Sequence, residues 1–100
     1  MSRSPGDLIL KDPASTEPQG FNWTAYLAEL GAGVTISVST YAVTPASLTL
    51  SGAAIGPGGL TTTVNLSSGT LGLKYTVTNH ITTTSGVIDE RSFDVLVENL

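Results

Sequence analysis

The stretch "YTVTNHITTTSGVIDERSF", residues 75–93, decides the fold because two alternating runs flank a short turn. Tyr75, Val77, Asn79 and Ile81 share one parity, and Val87, Asp89, Arg91 and Phe93 share another. If Thr84, Ser85 and Gly86 form a three-residue loop with Gly86 left-handed, Thr83 faces Val87, Ile81 faces Asp89, Asn79 faces Arg91 and Val77 faces Phe93. The apolar faces of both strands then coincide, which a slip of one residue would destroy. The same register brings Asn79, Asp89 and Arg91 into one neighbourhood among apolar residues. That polar group is a candidate active site, a candidate recognition patch, or the internal fastening of a small β domain.

Working outward, "VTISVST" (34–40) alternates Val34, Ile36 and Val38 against hydroxyls, the period-2 pattern of a half-buried strand. "YAVTPASLTLS" continues extended, with Pro45 marking a bend or an edge. "GAAIGPGG" (52–59) is predicted to be a turn region from its glycines and proline. "LTTTVNLS" (60–67) alternates again, with Leu60, Val64 and Leu66 on one face, and the final strand continues through Val95 and Val97. "FNWTAYLAEL" places Trp23, Leu27 and Leu30 on one helical face ahead of Gly31, which predicts a short helical turn near residues 24–30 capping the sheet core. Upstream of Tyr75, "GTLGLKY" has the form of a tyrosine corner, in which a Tyr early in the penultimate strand bonds back to the preceding turn.

Short strands with turn signals every ten residues or so predict an all-β fold, an immunoglobulin-like antiparallel β-sandwich. Residues 21–100 are expected to form that domain. Residues 1–20, with Pro5, Pro13 and Pro18 and little apolar material beyond "LIL", are expected to form an extended N-terminal arm. It would dock on a partner or add a strand to its own sheet, and on the first reading a chain lacking residues 1–18 would still fold.

The bulk composition narrows the function. The chain has 100 residues, enough for one modest core. It has no cysteine, which excludes disulfides, thiolate metal sites and thiol nucleophiles. A net charge of −4 with four scattered basic residues speaks against a nucleic-acid partner. The N-terminus lacks the pattern of a signal peptide and no run of about 20 apolar residues predicts a membrane span. A serine hydrolase is disfavoured because the single His80 points away from the face holding Asp89 and no nucleophile elbow is present. Asp89 and Glu90 are neighbours on a strand, so they face opposite ways and cannot jointly ligate a metal. The glycines of "GPGG" lack the lysine and following helix of a phosphate loop. No catalytic residue, cofactor, metal or small-molecule substrate is therefore expected. Trp23, Tyr75, Asn79, Asp89 and Arg91 are the structural or interaction candidates, with Asn79, Asp89 and Arg91 read as satisfying one another and pinning register.

One resemblance adds to this reading. Asp12 and Pro13, then Phe21, Trp23, Tyr26 and Leu27, then Gly69, Thr70, Tyr75, Val77, Asn79, Ile81, Thr82 and Thr83, and finally Gly86, Asp89, Glu90, Arg91, Ser92 and Phe93 match a recurring pattern. Over about residues 12–97 the chain resembles the fiber-tail adaptor proteins of tailed bacteriophages. It departs from them at Asn22, where Asp is usual, at Tyr41, where a strand Trp is usual, and at Ser68, where the first of two glycines is usual. The resemblance implies a structural virion protein assembled in the bacterial host cytoplasm. It would be present in several copies, linking tail fibers to the neck or tail by binding other virion proteins such as neck or portal-region proteins and the fiber. A capsid decoration or head-fiber protein is the alternative, and a carbohydrate-binding β-sandwich a minor one.

Overall fold

The computed structural model describes residues 8–99. Seven strands and one helix follow in the order β1 (Leu8–Lys11), β2 (Thr16–Asn22), α1 (Thr24–Leu30), β3 (Ile36–Thr44), β4 (Leu48–Ile55), β5 (Thr61–Ser68), β6 (Lys74–Thr83) and β7 (Ile88–Val97). They form two sheets, one ordered β1-β7-β6-β3 and the other β2-β5-β4. That is a β-sandwich of a four-stranded and a three-stranded layer, with β1 placed beside β7.

The period-2 pattern accounts for the layers. Tyr75, Val77, Ile81, Phe93, Val95 and Val97 from one sheet meet Phe21, Val64 and Leu66 from the other, all essentially removed from water. Each large apolar side chain so buried contributes about 1.5–3 kcal/mol. Trp23 and Leu27 close one end of this core from the α1 segment, with Leu30 packed against it, as their helical spacing predicts. Gly31, in the positive-φ region at +147°, ends the helix.

The β6–β7 hairpin has the expected register: Val77 pairs with Phe93, Asn79 with Arg91 and Ile81 with Asp89. Thr83 N–H donates to Val87 O at 2.8 Å, and Gly86 has φ +87°. One alternation is interrupted elsewhere. Between Ile36 and Val38 the β3–β6 register shifts by one residue, so Ile36 is buried while Val38, expected on the same face, is turned out to solvent. An extra residue on one strand of a pair reverses the facing of everything beyond it. A second bulge between Ser51 and Ala54, at Gly52 with φ +62°, lets β4 run on to Ile55. The turn predicted over 52–59 is accordingly shorter, and Gly56 N–H closes it by donating to Thr61 O at 2.8 Å.

The expected arm requires a larger correction. From Leu8 onward the segment follows the second of its two readings, adding strands to the domain's own sandwich rather than reaching outside it as a separate arm. β1 pairs with β7 in parallel, Leu8 opposite Asp94 and Lys11 opposite Val97, so the fold is not wholly antiparallel. β2 pairs antiparallel with β5 from Thr16 to Asn22. The prolines that suggested an arm have local explanations. Pro13 sits in the Asp12–Ser15 turn, where Ala14 N–H donates to the Asp12 carboxylate at 2.8 Å, and Pro18 lies on an edge strand, where the missing donor costs least. Residues 1–7 of the expected arm lie outside the described residues.

Deleting residues 1–18 would remove buried Ile9 and Lys11 and uncover Val95 and Val97. The truncated chain is therefore expected to lose its cooperative thermal transition by circular dichroism. A two-state melt close to that of the full chain would show that β1 is dispensable.

Candidate functional site

The hairpin delivers Asn79 into the core beside Trp23, where it is fully buried. A primary amide has two acceptor lone pairs and two donor hydrogens, and here every one is used. The Asn79 Oδ1 accepts from Trp23 Nε1 at 3.0 Å and from Thr62 Oγ1 at 2.7 Å. Its Nδ2 donates to Ser39 Oγ at 2.9 Å and to the Thr40 carbonyl at 3.0 Å. Because the single Thr62 hydroxyl hydrogen goes to Asn79, the Tyr41 hydroxyl is the donor in its 2.8 Å bond to Thr62 Oγ1. This network joins β6 to β3 within one sheet, to β5 in the other, and to the residue that opens α1.

Arg91, directly opposite Asn79 in register, takes a different course. Its guanidinium carbon lies 4.2 Å from the centre of the Trp23 ring and 5.5 Å from that of Tyr26, and Nη1 reaches the Asn22 carbonyl at 3.4 Å. Trp23 and Tyr26 meet edge to face at 5.5 Å. A cation over indole contributes about 0.5–2 kcal/mol depending on its exposure. Asp89 accepts the Glu90 N–H at 2.7 Å and lies beside Tyr26. Desolvation first, and then hydrogen bonding to and the charge of Asp89, push the Tyr26 hydroxyl above its ordinary pKa, with Arg91 opposing. The mutual satisfaction of Asn79, Asp89 and Arg91 expected from register alone is thus not what forms. Asn79 points inward beneath Trp23, while Arg91 folds over the outer face of the same ring.

Tyr75 occupies the other end of the sandwich. Its buried hydroxyl accepts the Thr70 N–H at 2.8 Å and shares a short hydrogen bond with Ser47 Oγ, which is the geometry of a tyrosine corner. Burial pushes this phenol up, but the bonds from Ser47 and Thr70 outweigh it and leave it below the usual value. Close by is a residue that the sequence reading passed over. Lys11 is fully buried, and its Nζ donates to Ser68 O at 2.7 Å and Asp12 O at 2.9 Å. Ser68 has φ +61°, a conformation that favours the glycine usual at this position of the motif. The missed partners of Asn79 were partly legible: Thr62 has the parity of Leu60, Val64 and Leu66, so a hydroxyl faced the core and needed a partner. Ser39 was not, because the β3 bulge reverses its facing, and the same reversal turns in Tyr41, which meets the network at Thr62.

The set can bind and position, and its polar atoms are occupied internally. Among the described residues, no three or more His, Asp or Glu side chains gather as metal ligands would.

Replacing Asn79 with Ala leaves the Trp23 N–H and the Thr62 hydroxyl without their acceptor in a dry core. The expected loss is about 3 kcal/mol or more in urea unfolding, since each stranded group costs about 1–3 kcal/mol. A loss below about 1 kcal/mol would mean that the network is dispensable. Burial also raises the Tyr41 hydroxyl to about 12. A pKa above the unfolded value near 10 makes the protonated phenol's contribution complete below about pH 10 and lost as pH rises toward about 12. Ultraviolet titration should show one phenolate appearing near the upper value, and Tyr41→Phe should remove that step.

The signature residues of the sequence motif therefore converge on two structural nodes, Trp23 with Tyr26, Asn79 and Arg91 at one end and Gly69 with Thr70 and Tyr75 at the other. No curated protein matches the chain. A family model described as "Podophage GP4 fiber-tail adaptor protein gp77" matches residues 11–96, from within β1 almost to the end of β7. On that match the chain belongs to the podophage GP4 fiber-tail adaptor protein gp77 family.

Proposed function

We propose that this protein is a structural adaptor of a podophage virion that links tail fibers to the neck or tail by protein–protein binding, in several copies per particle. The observation that carries the proposal is the family match over residues 11–96. The geometry supports it: the polar side chains within the sandwich spend their hydrogen bonds on one another, so they hold a rigid body together rather than present a reactive centre. Trp23, Tyr75 and Asn79 serve that scaffold. Tyr26, Asp89 and Arg91, half-exposed at the α1 end, are the side chains of this group open to a partner. Assembly would take place in the host cytoplasm through contacts with other virion proteins, and the body's rigidity would set the angle of the attached fiber.

Particles made without this protein are expected to package DNA and to lack fibers by electron microscopy, with fibers restored when the protein is supplied. Quantitative mass spectrometry of purified particles should find it at a small fraction of the copy number of the major capsid protein. Copy numbers matching the shell lattice, with fibers still attached in the deletion, would instead support a capsid decoration protein.

A further inference from the structure

We propose that the Asp12–Pro13 bond is a self-cleavage site, at which the Asp12 carboxylate attacks its own main-chain carbonyl and severs β1 from the rest of the chain. The bond lies in the turn between β1 and β2. The Asp12 carbonyl oxygen accepts from the Lys11 amine at 2.9 Å, from the Ser15 N–H at 3.1 Å and from the Ser15 hydroxyl at 2.9 Å. A carbonyl oxygen has two lone pairs, so three donors exceed what it needs at rest. One of them is the amine of a fully buried lysine. Donors converging in this way stabilise the negative charge that grows on a carbonyl oxygen under attack.

The attacking group belongs to the same residue. Asp12 Oδ1 accepts the Ala14 N–H at 2.8 Å, so the carboxylate is folded forward along the turn. A carboxylate is a competent nucleophile when it is held close to its target. Pro13 decides which product forms. It has no N–H, so its nitrogen cannot attack the side chain to make a cyclic imide, and it serves as the leaving group instead. In the step itself an Asp12 carboxylate oxygen bonds to the Asp12 carbonyl carbon, and Lys11 and Ser15 hold the resulting oxyanion. Collapse breaks the bond to Pro13, whose nitrogen takes a proton from water and leaves as a secondary amine. A second water opens the cyclic anhydride, restoring the side-chain carboxylate beside a new α-carboxylate. Asp12 and Pro13 are partly exposed, so water reaches the bond. The α-carboxylate keeps the donors of the old carbonyl and meets Lys11 with a full charge, which favours the product.

Glu17 makes the step acid-sensitive. The single Ser15 hydroxyl hydrogen is shared between Asp12 O and Glu17 Oε2, the latter at 3.1 Å. A protonated Glu17 carboxyl would donate to Ser15 Oγ and leave that hydrogen to the carbonyl, and the departing nitrogen needs a proton as well. The charged groups around the turn are Lys11 from β1, Glu17 from β2 and Glu98 after β7, whose N–H donates to Lys11 O at 2.8 Å. After the cut, β1 remains against β7 as a bound peptide. The reaction occurs once per chain and holds or fails independently of what the protein links.

Incubating the purified full chain at about pH 5 and about pH 8, with denaturing mass spectrometry of the products, tests it. Fragments 1–12 and 13–100 are expected, together one water heavier than the intact chain, and they should form faster at the lower pH. Asp12→Asn keeps an oxygen for the Ala14 N–H and loses the nucleophile. It should slow the cut about tenfold or more and leave the circular dichroism melt in place. The unaltered chain unfolded in urea should also cut about tenfold more slowly, because its converging donors are dispersed. Dilution should leave the rate unchanged, as for any reaction within one molecule. A chain that stays intact, a cut as fast in urea, an undiminished cut in Asp12→Asn, or a rate that falls on dilution would each overturn the proposal.

Discussion

One buried amide governs this sandwich. Asn79 sits in the apolar interior with both acceptor and both donor positions filled, by an indole N–H, a threonine hydroxyl, a serine hydroxyl and a backbone carbonyl. In a low-dielectric core each of these bonds is stronger than in water, and each would be costly to leave unmade. A purely apolar interface between the two sheets would tolerate small sliding motions. A four-way amide does not, so it sets the spacing of β5 against β6 and the position of α1 over the core. The Arg91 guanidinium then covers the outer face of Trp23, and the indole is held from both sides.

The opposite end is fastened by different chemistry for a related reason. There the chain turns from β5 into β6 through Ser68 and Gly69, both at positive φ, and such backbone must be held by its surroundings. A carbon added to Gly69 would lie 2.8 Å from Val97 Cγ2, which leaves little room for any other residue. The Tyr75 hydroxyl holds the Thr70 amide, and the buried Lys11 amine holds the Ser68 carbonyl across the gap between the sheets. Lys11 comes from β1, so the strand nearest the N-terminus is needed at the far end of the core. This explains why its parallel pairing with β7 is integral to the domain.

A small body made rigid at both ends suits a part whose work is to hold other parts in place. The family match indicates a structural virion protein, and the two nodes show what the residues that carry the resemblance do in this chain: they build its scaffold.

By itself the sequence determined the sandwich class, the hairpin register, the short helical cap and the tyrosine corner. Each of these follows from local rules: side chains alternate in a strand, a left-handed glycine closes a three-residue loop, and a face repeats every three to four residues in a helix. It also determined that Asn79 and Arg91 would lie opposite one another. Only the tertiary structure decided what each of them touches, because the partners of Asn79 come from residues as distant in the chain as Trp23, Ser39 and Thr62, brought together by sheet packing. It likewise decided the facing of Val38 and Tyr41, since one inserted residue in β3 reverses the alternation without any signature in composition. Lys11, whose charge marks it as a surface residue, became a core residue because two backbone carbonyls from separate turns converge on its amine. Such convergence is a property of the packed molecule, and no window of sequence contains it.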